Sequence, residues 1–194
     1  MKQSVPLNKA YRLLNHGPTV LVTTAHGERR NIMAAAWNMP LDFNPPKIAI
    51  VIDKQTYTRA LIEASGSFAI NVPCHAQVDM VLQVGSSSGR ELWGSTPDNK
   101  FAAYGVSTFA ASEIAAPLVA GCVAWLECRV IPEPHIQNTY DLYLGEVVAA
   151  WADDRVFSDG RWHFDAHDAM RTLHHIAGGA FMTVSDPFMT GNVD

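Results

Sequence analysis

The sequence predicts a mainly β fold, a β-barrel carrying a few short helices, and three observations predict it. Short apolar runs rich in β-branched residues recur along the chain and alternate with glycine, proline or polar turn segments. Helical spacing is confined to brief stretches that end at glycine. Two long apolar runs, LVAGCVAWLECRVI and YDLYLGEVVAAWA, stand on either side of a PEPHIQN turn, as an antiparallel pair would.

Taken in order, Leu7, Tyr11, Leu13 and Leu14 follow Pro6 at near-helical spacing, and Gly17-Pro18 stops that pattern. TVLVTTA reads as a strand, HGERRN as a polar turn, and IMAAAW as the returning arm of a hairpin with small residues on it. A proline-rich turn follows Trp37. KIAIVID is apolar at successive positions, which predicts a strand buried on both faces. QTYTRALIEASG predicts a helix capped by Thr56, with Ala60, Leu61 and Ala64 on one side and Gly66 just past the end. SFAINVP is the next strand, HAQVDMVLQVG a second short helix, SSSGREL a polar loop and DNKFAAYG a further helical turn. The tail from Trp162 is rich in histidine, then punctuated by glycine, and extended near its end. No repeat or composition break divides the chain, so residues 1–194 read as a single domain.

A chain of 194 residues can build a core without disulfides. Its 48% hydrophobic against 17% charged residues predicts more apolar surface than a monomer hides, hence an oligomer interface. The net charge of −5 argues against broad binding to nucleic acid or an anionic membrane. No signal-peptide pattern and no spanning-length apolar run is present. The three cysteines are odd in number and lack metal-type spacing, so a reducing cytoplasm is the expected location.

Ala34-Ala35-Ala36-Trp37 fits two readings: a crowded barrel strand relieved by alanines, or a platform along which a planar ligand reaches backbone groups. Lys54-Gln55-Thr56-Tyr57-Thr58-Arg59 stands where a strand meets a helix. The positive end of the helix dipole, two cations and two hydroxyls make an anion site there, unless Thr56 merely caps the helix and the cations are solvated. Asn71-Val72-Pro73 ends the next strand and either meets a heterocycle edge or closes a turn. Arg90 follows a serine-glycine loop that could fold over a phosphate. His163 and His167 would align on a helix as metal ligands, but Asp165 and Asp168 would not share their face, and no HExxH pattern occurs. Dinucleotide GxGxxG, P-loop and GxSxG signatures are absent.

The order of these pieces is Asn-x-Met-Ala-x-x-Trp, a buried strand, Lys-x-Thr-x-Thr at a helix start, Phe-x-Ile-Asn-Val-Pro, a Ser-Gly-Arg loop and Asn-Lys-Phe. It ends in His-x-x-Gly-Gly-x-Phe at 175 to 181. That order resembles the flavin reductase-like, FMN-binding split-barrel family, most closely its flavoredoxin branch. The resemblance implies a six-stranded Greek-key split β-barrel that forms a homodimer and holds FMN near the subunit interface. It also implies that Asn31, Met33, Ala34, Ala35, Ala36 and Trp37 line the isoalloxazine and ribityl side. Lys54, Thr56, Tyr57, Thr58 and Arg59 would surround the phosphate, Asn71, Val72 and Pro73 would close the ring edge, and Arg90 and Lys100 would assist. Asn99 replaces an aspartate often seen before that lysine.

The implied activity is oxidoreduction, with NAD(P)H reducing the flavin and free flavin or another acceptor reoxidising it. The flavin carries such chemistry, which accounts for a sequence with no acid, base or nucleophile constellation. Two alternatives stay open at this point: an FMN electron carrier reduced by a redox protein partner, and a flavin-free dimeric binding module.

Overall fold

The computed structural model describes residues 17–91 and 99–188, so the leading helix expected at 7–14 falls outside them. The first hairpin forms as expected: β1 (Val20–His26) pairs antiparallel with β2 (Arg29–Ala35), joined through Gly27 at φ 58°. The chain then departs from the expected turn. Asn38–Phe43 is a strand, β3, which pairs antiparallel with β4 (Pro46–Val51). Pro40 and Pro45 gave this stretch the look of a turn, yet an edge strand accommodates proline because one side of its backbone has no partner.

Helix α1 (Tyr57–Ser65) has the expected ends. Thr56 Oγ1 accepts from the Arg59 N–H at 3.3 Å, and Gly66 takes the left-handed conformation at φ 68°. After it come β5 (Ser67–Val72), a 3-10 turn at His75–Gln77, α2 (Val78–Gly85) and α3 (Asn99–Ala103). The first long apolar run is split, because Gly121 adopts φ 82° and turns the chain. The short β6 (Thr108–Phe109) and β7 (Leu118–Val119) form a ribbon before that turn, and β8 (Ala124–Ile131) follows it.

PEPHIQN, expected as a turn, opens the helix α4 (Pro134–Tyr140). Pro134 stands at its start, where no N–H is required, and Asp141 ends it with φ 55°. β9 (Leu142–Ala152) pairs antiparallel with β8, as the sequence predicts. Two small hairpins complete the described chain: β10 (Phe157–Ser158) with β11 (Arg161–Trp162), and β12 (Leu173–Ala177) with β13 (Ala180–Thr183).

The main sheet has the order β2-β1-β5-β8-β9-β4-β3, seven strands where six were expected, the addition being β3. Its two edges, β2 and β3, are consecutive in the chain, so the barrel is split where Ala36 and Trp37 cross from one to the other. The doubly buried strand is β1 rather than the KIAIVID strand. Val20 and Val22 join Ile50, Ile62, Phe68 and Tyr143 in one core, while Leu21 joins Ile32, Val81, Val84 and Phe101 in a second core beneath α2 and α3. In β4 only Ala49 and Ile50 are buried, because the second core draws on no residue of that strand.

Buried polar groups in the wall are satisfied by long-range bonds. The Glu127 carboxylate accepts from Ser112 N, Glu113 N and Trp151 Nε1 at 2.6–3.1 Å. Burial would raise its pKa, but these donors hold it below the ordinary carboxylate range. Among the described residues no helix is long and apolar enough to cross a membrane.

Candidate functional site

A groove runs along the small-residue end of β2, beneath the C-terminal end of α2. One part, about 410 Å³, is walled by Asn31, Met33 and Ala34 of β2, by Thr56, Tyr57 and Thr58 at the start of α1, by the Ser86–Gly89 loop, and by Lys100. The other part, about 210 Å³, is floored by Ala34, Ala35 and Ala36 and walled by Val81, Leu82, His175 and Phe181. Ala34, Gly85 and Ser86 belong to both, so the two parts adjoin. The larger part alone has the capacity of an ordinary small-molecule site.

The alanines serve packing and cavity together. A Cβ placed on Gly85 would stand 3.3 Å from the Ala34 Cβ, so α2 approaches β2 closely only because both residues are small. Beyond Ala34 the same strand remains uncovered and supplies the floor. The Ser86–Gly89 loop is fitted as tightly. A Cβ on Gly89 would come within 2.2 Å of Asn31 Oδ1, while Asn31 Nδ2 donates to Thr58 Oγ1 at 2.8 Å. This loop, β2 and α1 thus meet around one asparagine.

The larger part brings one cation, Lys100, and one carboxylate, Asp53, together with the start of α1. The first turn of α1 carries no carboxylate, so the positive end of its dipole is not neutralised within the helix. Asp53 and Gln55 also line it, and Asp53 Oδ1 accepts from Gln55 N at 2.7 Å. Lys100, only 3% exposed, donates from Nζ to Ile32 O at 3.1 Å and Val84 O at 2.8 Å. Burial pushes its pKa down to about 8, partly offset by the charge of Glu91. An anion bound here would meet the lysine, the helix terminus and the serine hydroxyls at once.

Of the residues singled out in the sequence, Asn31, Met33, Ala34, Ala35, Ala36, Thr56, Tyr57, Thr58 and Lys100 come together in the groove. The others do not. Arg59, 7% exposed, turns to the far side of α1, where it donates to Glu63 Oε1 at 2.8 Å and pairs with Asp141. Asn71 is consumed by the barrel wall: Nδ2 donates to Leu21 O and Thr23 Oγ1 at 3.0 and 3.2 Å, and Oδ1 accepts from Val119 N at 2.7 Å. Val72 lines a separate apolar cavity with Trp162 and Phe164, and Pro73 is buried. Lys54 and Arg90 are exposed beyond the groove walls, and Trp37 is half exposed outside it.

Sequence reasoning missed Leu82, Ser86, Ser87, Ser88, His175 and Phe181 as walls. The His175 and Phe181 pair had a signal in the His-x-x-Gly-Gly-x-Phe run. Gly178 at φ 57° turns β12 into β13, which stands the imidazole 5.2 Å from the Phe181 ring. Among the described residues, His163 and His167 do not share a helix. Residues 163–167 are irregular with a turn at 165–166, and His163 Nε2 meets Ser158 Oγ at 2.8 Å.

The comparisons with known proteins agree with this geometry. The family described as "Flavin reductase like domain" matches residues 12–174. A crystal structure of an FMN-binding domain of a flavin reductase-like enzyme from Shewanella baltica is similar at TM-score 0.84 and 49% identity, covering 97% of this chain and 96% of that one. The flavoredoxin of Desulfovibrio vulgaris is similar at TM-score 0.80 and 26% identity, covering 100% and 98%. An uncharacterised Escherichia coli protein, YddH, is 49% identical over 182 residues, 92% of this chain and 93% of its own.

Proposed function

The chain belongs to the flavin reductase-like family, and from that premise we propose that it binds FMN in the groove and passes electrons from NAD(P)H to free flavin or another acceptor. The observation that carries this reading is the groove's division of character. One part is an apolar, alanine-floored slot suited to a flat ring system, and the adjoining part is a hydroxyl-rich chamber with the Lys100 ammonium in its wall, suited to phosphate. FMN joins those two chemistries in one molecule.

The residues present fit that group. Ala34, Ala35 and Ala36 would let a ring edge approach the β2 backbone, with Leu82 and Phe181 on its apolar flanks. Ser86, Ser87, Thr58 and Lys100 would receive the phosphate. Bound flavin supplies the two-electron and one-electron chemistry, which protein side chains cannot. The chain's own task is to orient the ring, keep it from bulk water on its β2 side, and leave a side open to a donor. Three buried free thiols fit a reducing compartment such as the cytoplasm.

A second reading rests on the likeness to the Desulfovibrio vulgaris flavoredoxin over nearly the whole of both chains. There the bound FMN would receive electrons from a redox protein partner. Anaerobic absorption spectra of purified protein loaded with FMN separate the two. Bleaching of the flavin band on adding NADH or NADPH is the expected result. A band that persists until dithionite is added moves the function to the electron carrier, and failure to bind FMN removes both.

A further inference from the structure

We propose that the apolar cavity between the end of β5 and the β10–β11 hairpin is a second ligand site, separate from the groove. It takes a small uncharged aromatic compound carrying a carbonyl or hydroxyl oxygen. The inference stands apart from the flavin reading and gives a place to Val72, which the groove leaves out.

The cavity holds about 380 Å³, within the range of small-molecule sites. Its main wall is an aromatic stack. The Trp162 and Phe164 rings lie 5.6 Å apart at an interplanar angle of 11°, and Phe157 meets Trp162 edge-on at 5.0 Å. Phe164 is rooted in a buried cluster with Cys74, Val123 and Val156, whereas Trp162 stays 39% exposed. Rings fixed in this way favour a further ring, offset-stacked or edge-on.

A second wall is the strap from Val184 to Pro187, which Arg171 fastens. Its guanidinium donates to Val184 O at 3.1 Å and pairs with Asp186, and its Nε donates to Asp168 Oδ1 at 2.9 Å. Polar bonds therefore position the strap, while Ser185 and Pro187 line the space and remain exposed. An unfilled apolar space forfeits dispersion contacts along its walls. An aromatic ligand restores them without displacing the strap.

Charge selects the class. Among the described residues that line the cavity there is no aspartate, glutamate, lysine or arginine. Arg171, 5.8 Å over the Phe164 ring, is committed to Asp168 and Asp186. An ionised ligand would lose its hydration here without gaining a counterion. Thr172, His174 and Ser185 bring hydroxyl and imidazole groups, which can bond a neutral oxygen.

The cavity and the groove can be filled together. Along β12, His174 lines the cavity and His175 lines the alanine-floored slot. The neighbouring segment divides in the same way: Pro18, which bridges to His174, lines the cavity, and Thr19, whose Oγ1 accepts from His175 N at 2.9 Å, lines the slot. Backbone thus stands between the two ligands.

The test uses acetophenone as probe, titrated into the full chain with FMN in excess and followed by the tryptophan indole N–H signals in NMR. The signal that Trp162→Phe removes should shift saturably, and equally when FMN is left out. Ser185→Phe, which fills the cavity from an exposed position, should abolish that shift. Benzoate, an anion of similar size, should need at least about tenfold higher concentration, because it finds no counterion. Absence of a saturable shift overturns the site, as does a shift that survives in Ser185→Phe. A shift that FMN abolishes places the probe in the groove and also overturns it. Benzoate binding as well as acetophenone overturns the uncharged class. If the probe binds only after residues 1–15 are removed, the occupant is the chain's own amino terminus and the proposal falls. A chain that passes this titration yet binds no FMN loses the flavin reading alone.

Discussion

Arg59 and Lys100 are both basic residues that the sequence offers to a phosphate, and their surroundings separate them. The Arg59 guanidinium reaches Glu63, Asp141 and Asn138 and lies 5.5 Å over the Tyr143 ring, whose hydroxyl in turn donates to Glu63 at 2.7 Å. It ties α1 to the start of β9. Arg59→Ala should therefore lower unfolding free energy by roughly 1–3 kcal/mol in urea denaturation, by stranding a half-buried carboxylate. The same variant should change FMN affinity by less than about twofold, well under the 1.4 kcal/mol of a tenfold effect. A large loss of affinity with stability unchanged would bring the phosphate to Arg59 instead. What was legible at this scale was local chemistry. Thr56 as a cap and Gly66 as a stop follow from neighbours three or four residues away. Asn71 was not legible, because its partners Leu21, Thr23 and Val119 become neighbours only when the barrel closes. An asparagine that ends a strand looks the same whether it binds a ligand or locks the wall.

At the scale of elements, periodicity and caps predicted β1, β2, β5, α1 and α2, and the missed pieces share a physical cause. In β3 the apolar residues Met39, Leu41 and Phe43 alternate with Pro40 and Asp42, but proline and the following Asn-Pro-Pro masked the alternation. In α4 a glutamate-proline start and a left-handed aspartate did the work usually given to serine and glycine. The sequence predicts the Ser86–Gly89 segment as a polar loop that could fold over a phosphate, whereas its place as a wall depends on one close approach. Gly89 tolerates no side chain, because an added Cβ would stand 2.2 Å from Asn31 Oδ1 and 3.2 Å from the Tyr57 ring. Gly89→Ala should therefore push the loop off β2. FMN affinity should fall by at least about tenfold, or 1.4 kcal/mol. Riboflavin affinity should fall less, since the displaced serines belong to the phosphate chamber. Thermal stability should change less than FMN affinity, as residues 86–89 belong to none of the hydrophobic clusters. Equal losses for both flavins would place the loop over the ring instead.

For the whole molecule, the 48% hydrophobic composition predicted surface left uncovered within one chain, without saying where. The structure concentrates it on β3, where Phe43 is 98% exposed and Met39 and Leu41 are about half exposed on an edge strand with open backbone groups. Such an edge invites pairing unless a partner covers it. The chain passes directly from the groove floor at Ala35 and Ala36 through Trp37 into β3. A second copy seated on β3 would therefore stand beside the apolar part of the groove and shield a bound ring from water on that side. Sedimentation of the parent should show a dimer, and Met39→Glu with Phe43→Glu should show a monomer, because two carboxylates would have to be buried for the pair to form. If the partner also completes the ring end, the monomeric variant should lose affinity for riboflavin and FMN by the same factor, while the ratio between them stays that of the parent. That equality is the discriminating result. Damage at the phosphate chamber alters the ratio, and loss of a shared wall at the ring end does not. A parent that sediments as a monomer, or a variant that stays dimeric, would remove β3 from the interface.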